Sequence, residues 1–232
     1  MSTQTNPTNP TIDGMFSAGA HFGLGRSRRN PTITPYIFGT KNRTDIFDLE
    51  KTAALLDNAK AFITSLAKEG KTIVFVGGKK EASAAVKSTA QALNMPYVEG
   101  RWIGGTLTNF GNIRKRVERF EKLTSDREKG ELAKYTKRER MLIDREIAKL
   151  ERMFFGIVSL KKMPDALFIV DPRKEKIAVD EAAHMKVPVI AVAGSDCNIS
   201  VIKYPIIGND GAKASIQFFL AEAAKAYQEG KK

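Results

Sequence analysis

The chain has 232 residues, 42% of them hydrophobic, which suffices for one α/β domain with an appendage or for two small domains. Its 38 Lys and Arg residues against 26 Asp and Glu residues give a net charge of +12, which predicts a polyanionic partner, with a merely basic enzyme as the alternative. No run of about 18 apolar residues predicts a membrane span, and one cysteine with two histidines excludes an internal disulfide and a Cys/His zinc site.

Residues 1–10 are polar and rich in Thr, Asn and Pro, without the basic start and apolar run of a secretory signal or the arginines of a transit peptide. We therefore expect a chain that stays in the reducing cytosol. Over residues 1–17 we predict a disordered N-terminal tail and its connection to the first folded element.

The stretch from Arg26 to Arg43 contains five basic residues and no acid, and glycines and prolines break it into loops around an extended piece at 33–38. A basic loop with interleaved aromatic residues is typical of a surface that binds an RNA backbone and stacks on bases. Both aromatic residues could instead belong to the core. We favour that alternative for Phe38, which lies in an apolar strand, and keep Tyr36 in the surface.

From Asp48 onward the pattern predicts alternating helices and strands. Asp48 is a suitable N-cap for a helix that ends near Gly70, and residues 72–76 are a continuous apolar run, as in a strand buried on both faces. We predict helices at 49–68, 80–93, 171–185 and 211–227, strands at 72–76, 96–98, 166–170 and 187–192, and an extended piece at 205–207. This alternation predicts right-handed crossovers and a parallel sheet covered by helices.

The segment between Phe110 and Met163 interrupts the alternation and has no strand pattern. Its apolar residues recur every three or four positions, as in an antiparallel helical hairpin or short coiled coil. Thr136 and Glu139 form a capping box that starts the second helix. Residues 114–152 hold 14 basic and 9 acidic residues, a surplus that allows contact with phosphate although most of these charges form a solvated face. The two apolar seams are Ile113, Val117, Phe120 and Leu123, and Ile143, Ile147, Leu150 and Phe154.

Two glycine-rich turns are candidate binding sites. Gly77-Gly78-Lys79-Lys80 follows a buried strand and opens a helix, where α/β folds bind phosphates, but it is neither a Walker A loop nor a dinucleotide fingerprint. Residues 100–110 place three glycines around the only tryptophan, which favours a structural turn into the hairpin, with Arg101 and Asn109 as candidate RNA contacts.

No nucleophile and base can be paired from the sequence, so we predict no catalytic site. Cys197, His21 and His184 are far apart along the chain, and His184 is interpreted as a packing or surface residue. For His21, a hydrogen bond to a backbone carbonyl, an RNA contact and metal binding remain open, in falling order of preference.

Several blocks of the sequence, in order from about residue 18 to residue 227, resemble the bacterial S-two family of small-subunit ribosomal proteins. The opening block is Ala18-Gly19-Ala20-His21-Phe22-Gly23, and the others lie at 29–31, 35–39, 48–52, 101–110, 164–168, 171–178 and 208–210. The hairpin insertion is similar to that of the bacterial and organellar branch. Leu24 stands where the family has a second histidine, and residues 194–200 differ from the family's acidic, Cys- and Pro-containing loop.

The resemblance implies a flavodoxin-like or Rossmann-like parallel sheet covered by helices, with an inserted antiparallel coiled-coil hairpin. On this basis residues 18–109 and 164–228 form the α/β domain and residues 110–163 form the hairpin. The family's properties imply a cytoplasmic, structural protein that binds small-subunit ribosomal RNA and neighbouring ribosomal proteins. Such proteins lie on the solvent side between head and body, join late in assembly, and in many bacteria help to recruit the large S-one protein, which captures messenger RNA.

The candidate RNA-binding residues combine the basic loop, the two turns and the start of the hairpin. No catalytic, cofactor-binding or metal-binding residue is predicted. Two other functions stay as alternatives: a doubly wound enzyme that binds a phosphorylated ligand at Gly77-Gly78, and an RNA-binding regulator outside the ribosome. The candidate RNA-binding residues are Arg26, Arg28, Arg29, Asn30, Tyr36, Lys41, Asn42, Arg43, Lys79, Lys80, Arg101, Asn109, Arg114 and Lys115.

Overall fold

Helices and strands alternate along most of the chain in the computed structural model, which describes residues 10–231. The helices are α1 (Pro10–Ser17), α2 (Leu49–Lys68), α3 (Lys80–Leu93), α4 (Phe110–Glu128), α5 (Lys137–Phe154), α6 (Lys176–His184) and α7 (Lys213–Lys231). The strands are β1 (Phe22–Gly25), β2 (Ile37–Lys41), β3 (Thr44–Phe47), β4 (Ile73–Val76), β5 (Tyr97–Val98), β6 (Ala166–Val170), β7 (Val189–Ala193) and β8 (Tyr204–Ile207).

Five strands form a parallel sheet in the order β5-β4-β6-β7-β8. Counted from the first strand of this sheet, the order is 2-1-3-4-5, that of flavodoxin-like doubly wound folds, with the reversal of strand order between β4 and β6. The predicted α/β class with a parallel sheet flanked by helices is therefore confirmed. All residues of β4, β6 and β7 are buried, as their uninterrupted apolar sequences predicted.

Each face of the sheet has its own hydrophobic cluster. On one face, Phe75 and Phe168 pack with residues of α2, α3 and α7, including Leu56 and Phe219. On the other face, Val74 and Ile169 pack with α6 and with the inner ends of α4 and α5. Side chains alternate between the two faces of a strand, so successive residues of β4 belong to different clusters.

A second, three-stranded antiparallel sheet, β1-β3-β2, is absent from the sequence prediction. Its strands are only four or five residues long, too short for a clear alternation of apolar and polar residues. The first part of the piece predicted as extended, 33–38, belongs instead to a 3₁₀ helix, Pro31–Tyr36. The prediction that Phe38 belongs to the core is wrong, because its side chain lies on β2 and is 79% exposed.

The described part of the N-terminal segment also differs from expectation. Residues 1–9 of the predicted disordered tail lie outside the described residues. Pro10–Ser17, which the predicted tail includes, form α1, and Met15 of this helix is fully buried in the core. The apolar side chains of Ile12 and Met15 face the core, and their burial stabilises a helix too short to form alone.

Helix α6 begins at Lys176, five residues later than predicted. Asp171 has a left-handed φ of +63°, and its carboxylate accepts hydrogen bonds from the backbone N–H groups of Arg173 and Lys174. This local turn delays the helix, because an Asp side chain that bonds the following amides offers the backbone an alternative to helical bonds.

Two helices, α4 and α5, occupy the segment predicted as a hairpin. Arg119 on α4 donates hydrogen bonds of 2.7 and 3.1 Å to Glu146 on α5, and the capping box of Thr136 and Glu139 is present. The buried seam residues, among them Val117 and Ile147, join the second cluster of the sheet. No helix within residues 10–231 has the length and apolarity to cross a membrane.

Candidate nucleic-acid interface

The carboxyl ends of the parallel strands bring together loops that are distant in the sequence. Gly77 and Gly78 follow β4, Arg101 lies three residues after β5, and Asp171 follows β6. In open α/β sheets, ligands bind in the crevice outside these ends, at the point where the strand order reverses. This edge of the sheet is therefore the candidate site.

The N-terminal basic loop is fastened to the same edge. The Leu24 N–H donates a 2.9 Å hydrogen bond to Ser195 Oγ, and the Asn30 N–H donates a 2.8 Å bond to the Ser195 carbonyl, in the loop after β7. Between these two anchors lie Arg26 and Arg28, both exposed. The sequence could not show this docking, because about 165 residues separate the two loops.

A tight turn between β2 and β3 adds three further polar residues beside Arg26, whose N–H donates a 2.9 Å bond to the Arg43 carbonyl. Asn42 and Arg43 have φ values of +51° and +64°, and both are exposed. Positive φ at both central residues is the requirement of a type I′ hairpin turn, which Asn tolerates but Arg rarely adopts. Lys41, Asn42 and Arg43 thus project from one rigid turn.

Arg29 differs from the other cations of the loop because it is held in an ion pair. Its guanidinium donates hydrogen bonds of 2.8 and 2.5 Å to Asp45, whose side chain is fully buried, and another of 3.0 Å to Thr40. The hydrogen bond from Arg29 holds the pKa of the Asp45 carboxyl below its usual range. Arg29 therefore ties the loop to the small sheet and is not a free cation at the surface.

Lys79 is likewise engaged within the protein. Its ammonium lies 2.6 Å from Asp171 Oδ2 and 2.7 Å from Asp210 Oδ2, and its side chain is 19% exposed. Desolvation acts to lower the pKa of Lys79, but the hydrogen bonds to Asp171 and Asp210 outweigh it and raise that pKa. Lys79 is therefore less available for the predicted phosphate contact than Lys80, which is exposed at the start of α3.

The surroundings of Lys79 also contain a group of three possible metal ligands. The ligand atoms of Asp171, Cys197 and Asp210 lie within 4.8 Å of one another. However, the Lys79 ammonium already forms ion pairs with both carboxylates, and burial raises the pKa of the Cys197 thiol, which disfavours the thiolate that metals bind. This donor set does not fit a metal ion.

The glycine turn after β4 also contacts a carboxyl group of the protein itself. The Gly78 N–H donates a 3.2 Å hydrogen bond to Glu175 Oε1, which lies where a phosphate oxygen would bind in a nucleotide-binding relative of this fold. A side chain on Gly78 would collide with Glu175 and with the Gly100 carbonyl, so the turn requires glycine for close packing. The turn is closed by the protein's own groups.

Glu181 on α6 organises residues 102–108, the tryptophan loop. The importance of Glu181 for this region was not predicted from the sequence. Its buried carboxylate accepts backbone hydrogen bonds of 2.6 Å from Gly105, 2.9 Å from Leu107 and 3.2 Å from Thr108, and a 3.4 Å bond from Trp102 Nε1. Together with the Thr108 hydroxyl, which donates a 3.4 Å bond, these donors fix the path of residues 102–108. The loop thereby places exposed Arg101 and Asn109 at its two ends. The sequence feature that could have indicated this role is a glutamate on an otherwise apolar helix face.

The remaining candidates lie in different surroundings. Asn30 caps the 3₁₀ helix through a 3.0 Å bond from the Thr32 N–H, and Tyr36 is half-buried. Arg114 donates to the Val158 carbonyl and pairs with glutamates of its own helix, whereas the neighbouring Lys115 is exposed. Lys115 is thus the freer cation at the start of α4.

Neither histidine belongs to the cluster of Asp171, Cys197 and Asp210. His184 is exposed at the end of α6, in agreement with the expected surface residue. The His21 ring lies between Phe16 and Phe22, with centroid distances of 4.6 and 4.0 Å. Its Nδ1 is buried and has no hydrogen-bond partner among residues 10–231, and burial lowers the pKa of the ring. The expected bond from this nitrogen to a carbonyl is absent there.

Comparison with known proteins adds an independent result. The profile of the family described as Ribosomal protein S2 matches residues 15–230. A relative from Sulfurimonas denitrificans, called small ribosomal subunit protein uS2, is 42% identical over 221 residues, which cover 95% of this chain and 85% of the relative. Proteins of the same name from Wolinella succinogenes and Geotalea uraniireducens are 42% and 39% identical, over 95% and 96% of this chain and 82% and 87% of their own lengths.

Proposed function

Because the chain belongs to the Ribosomal protein S2 family, we propose that it binds small-subunit ribosomal RNA through the carboxyl edge of its parallel sheet. It is a structural protein of the small ribosomal subunit in the cytoplasm and not an enzyme, and its partners include ribosomal RNA and neighbouring ribosomal proteins. The observation that carries the proposed interface is the gathering of exposed cations from separate segments at this edge. They are Arg26, Arg28, Lys41, Arg43, Lys80 and Arg101.

Phosphate contact suits these residues better than base recognition. They lie on loops, turns or a helix start rather than on an element that could enter a groove, and phosphate contacts position a protein without reading sequence. Asn42 and Asn109 lie beside the cations and can donate hydrogen bonds to the same backbone. Arg29 and Lys79 support the interface from within, since their charges are already neutralised by buried carboxylates.

The test compares two fourfold alanine variants of the full chain. In the first, Arg26, Arg28, Lys41 and Arg43 are replaced; in the control, Lys68, Lys161, Lys203 and Lys225, which are exposed away from this edge, are replaced. Sucrose-gradient fractionation of lysate should show the wild type and the control with small subunits and the first variant depleted from them. The log–log salt dependence of RNA binding should flatten by about 0.7–0.9 for each phosphate that the variant no longer neutralises. Equal behaviour of both variants would contradict the proposed interface.

The location between head and body, late assembly and docking of the S-one protein are proposed from the resemblance to the family. For S-one, an exposed aromatic patch gives support: Phe16 is 63% and Phe22 50% exposed beside His21, and Phe38, 79% exposed, lines the same depression as Phe16 and His21. Exposed apolar patches commonly mark protein interfaces. Phe38→Ser should release S-one from subunits while this chain stays bound; retention of S-one would argue against docking at the patch.

We also propose that α4 and α5 pair as an antiparallel coiled-coil arm. Support comes from the apolar seams and from the Arg119–Glu146 bonds between the helices. The inner seam belongs to the core, so only the outer part is separable. Replacing residues 122–145 by four glycines should leave the melting temperature within a few degrees, while subunit incorporation falls. An unfolded product, or normal incorporation, would contradict the arm.

A further inference from the structure

We propose that the solvent-facing side of α5 is a second RNA-backbone surface, separate from the sheet edge. This α5 stripe consists of Arg138, Arg145, Lys149 and Arg152, all exposed. None of them belongs to the residues predicted from the sequence. The inference rests on the proposed function, since it assumes that the polyanion recognised by this chain is RNA.

The four side chains share one face because of helix geometry. An α-helix turns about 100° per residue, so the directions of positions 145, 149 and 152 fall within about 40° of that of Arg138. The buried Ile147 projects on the opposite side, toward α4 and the second core cluster. At a rise of about 1.5 Å per residue, the stripe extends for about 21 Å along the arm.

No acidic residue of α5 shares this face. Glu139 is used in the capping box, and Glu146 pairs with Arg119 of α4. Asp144 and Glu151 lie more than about 100° from the centre of the stripe. Among residues 10–231 no salt bridge involves Arg138, Arg145, Lys149 or Arg152, unlike the compensated Arg114 and Arg119.

Two large apolar side chains border the cations. Met141 is 47% exposed and Leu142 is 53% exposed, on either side of the line from Arg138 to Arg145. Contact with water is unfavourable for the apolar surfaces of Met and Leu. These surfaces would be covered when the stripe lies against another molecule. Their position among unpaired cations supports a docking face over an ordinary solvated one.

An RNA backbone fits the stripe because charges of one sign continue along a straight path. Long-range attraction of a polyanion is strongest where no carboxylate interrupts the basic surface. The sheet edge contacts RNA through loops, whereas the stripe lies on a projecting helix, so one molecule can hold two RNA segments at once. An acidic face of a neighbouring protein is the competing occupant and becomes an outcome of the test.

The experiment neutralises the stripe in the full chain. The variant R138Q/R145Q/K149Q/R152Q keeps good helix formers, and the control K122Q/K129Q/K137Q/R140Q removes the same charge from other exposed hairpin positions. Binding to purified small-subunit RNA is measured over a salt series. We expect the log–log slope to fall by about 0.7–0.9 for each phosphate released in the stripe variant and by less in the control.

The outcomes separate the two proposals. A stripe variant that matches the control in RNA binding overturns the stripe, and if it still incorporates poorly into subunits, an acidic protein is the occupant instead. A wild-type chain without affinity for the RNA overturns the proposed function and the stripe together. Circular dichroism of both variants verifies that α5 is intact.

A second measurement does not depend on a fall in affinity. Cys197 is fully buried, so a cysteine introduced at Lys149 would be the only accessible thiol among residues 10–231. An iron chelate attached to K149C should cleave bound small-subunit RNA at a discrete site. The same chelate at K225C, on α7, should give different and weaker cuts. No cleavage from K149C in assembled subunits would refute the stripe.

Discussion

The guanidinium of Arg29 donates two hydrogen bonds, of 2.8 and 2.5 Å, to the carboxylate of Asp45, and this ion pair joins the N-terminal basic loop to strand β3. Asp45 is fully buried, and Thr40 Oγ1 donates a further 3.0 Å bond to its Oδ1. The pair fixes the two strands on either side of the turn from which Lys41 and Arg43 project. A charged pair below the surface thus shapes the exposed charges above it.

We predict that Asp45→Asn lowers the free energy of unfolding by about 3 kcal/mol, at the lower end for buried pairs because Arg29 is 19% exposed. The native pKa of Asp45 lies below the unfolded value of about 3.9, so its stabilisation is complete above that pH and is lost as pH falls through the native pKa. Urea denaturation at pH 7 and pH 3 should show that the free energy of unfolding falls less between these two pH values in the variant than in the wild type. The exposed substitution Asp180→Asn is the control; an equal pH effect in both would contradict the assignment.

Arg43 sits at a turn position that usually favours glycine. We predict that Arg43→Gly holds or raises the melting temperature, because relief of the positive φ offsets the extra freedom of glycine in the unfolded chain. The same change should weaken RNA binding and reduce the salt slope by about 0.7–0.9. Asn42→Gly, which removes no charge, should leave that slope unchanged. A destabilised R43G protein would show that the arginine is structural.

Glu181 holds the tryptophan loop by accepting hydrogen bonds from several donors. Glu181→Gln should lower the free energy of unfolding by about 2–3 kcal/mol, because an amide cannot accept all of these bonds and introduces an unpaired donor. RNA affinity should also fall, since Arg101 and Asn109 are positioned by this loop. Denaturation and filter binding measure the two effects. If the variant has wild-type stability and unchanged Trp102 fluorescence, the loop keeps its conformation without the Glu181 carboxylate, and the prediction is wrong.

We predict that the isolated protein binds no mononucleotide. Glu175 occupies the Gly78 amide, and Asp171 and Asp210 hold the Lys79 ammonium, so neither turn group is free for phosphate. Calorimetry with ATP, GTP and NAD at millimolar concentration should show no saturable heat, while small-subunit RNA in the same cell gives a binding signal. A micromolar site for any of the three would revive the enzyme hypothesis.

Local sequence pattern determined most of the scaffold. The helices at 49–68 and 80–93 and the strand at 166–170 have the predicted bounds, because apolar periodicity, an N-cap and flanking glycines act over a few residues. The parallel sheet follows from their alternation. The short strands β1, β2 and β3 escaped prediction since their stability comes from pairing with one another.

Tertiary structure decided which basic residues are free. The partners of Lys79 lie 92 and 131 residues further along the chain, and Ser195, which anchors the basic loop, is 171 residues from Leu24. No local pattern reports such pairings, so Arg29 and Lys79 are indistinguishable from Arg26 and Lys80 in the sequence. The sequence by itself determined that the protein is basic and α/β; only the fold decided which charges neutralise one another inside and which stay exposed, because Coulomb attraction depends on distance in space and not along the chain.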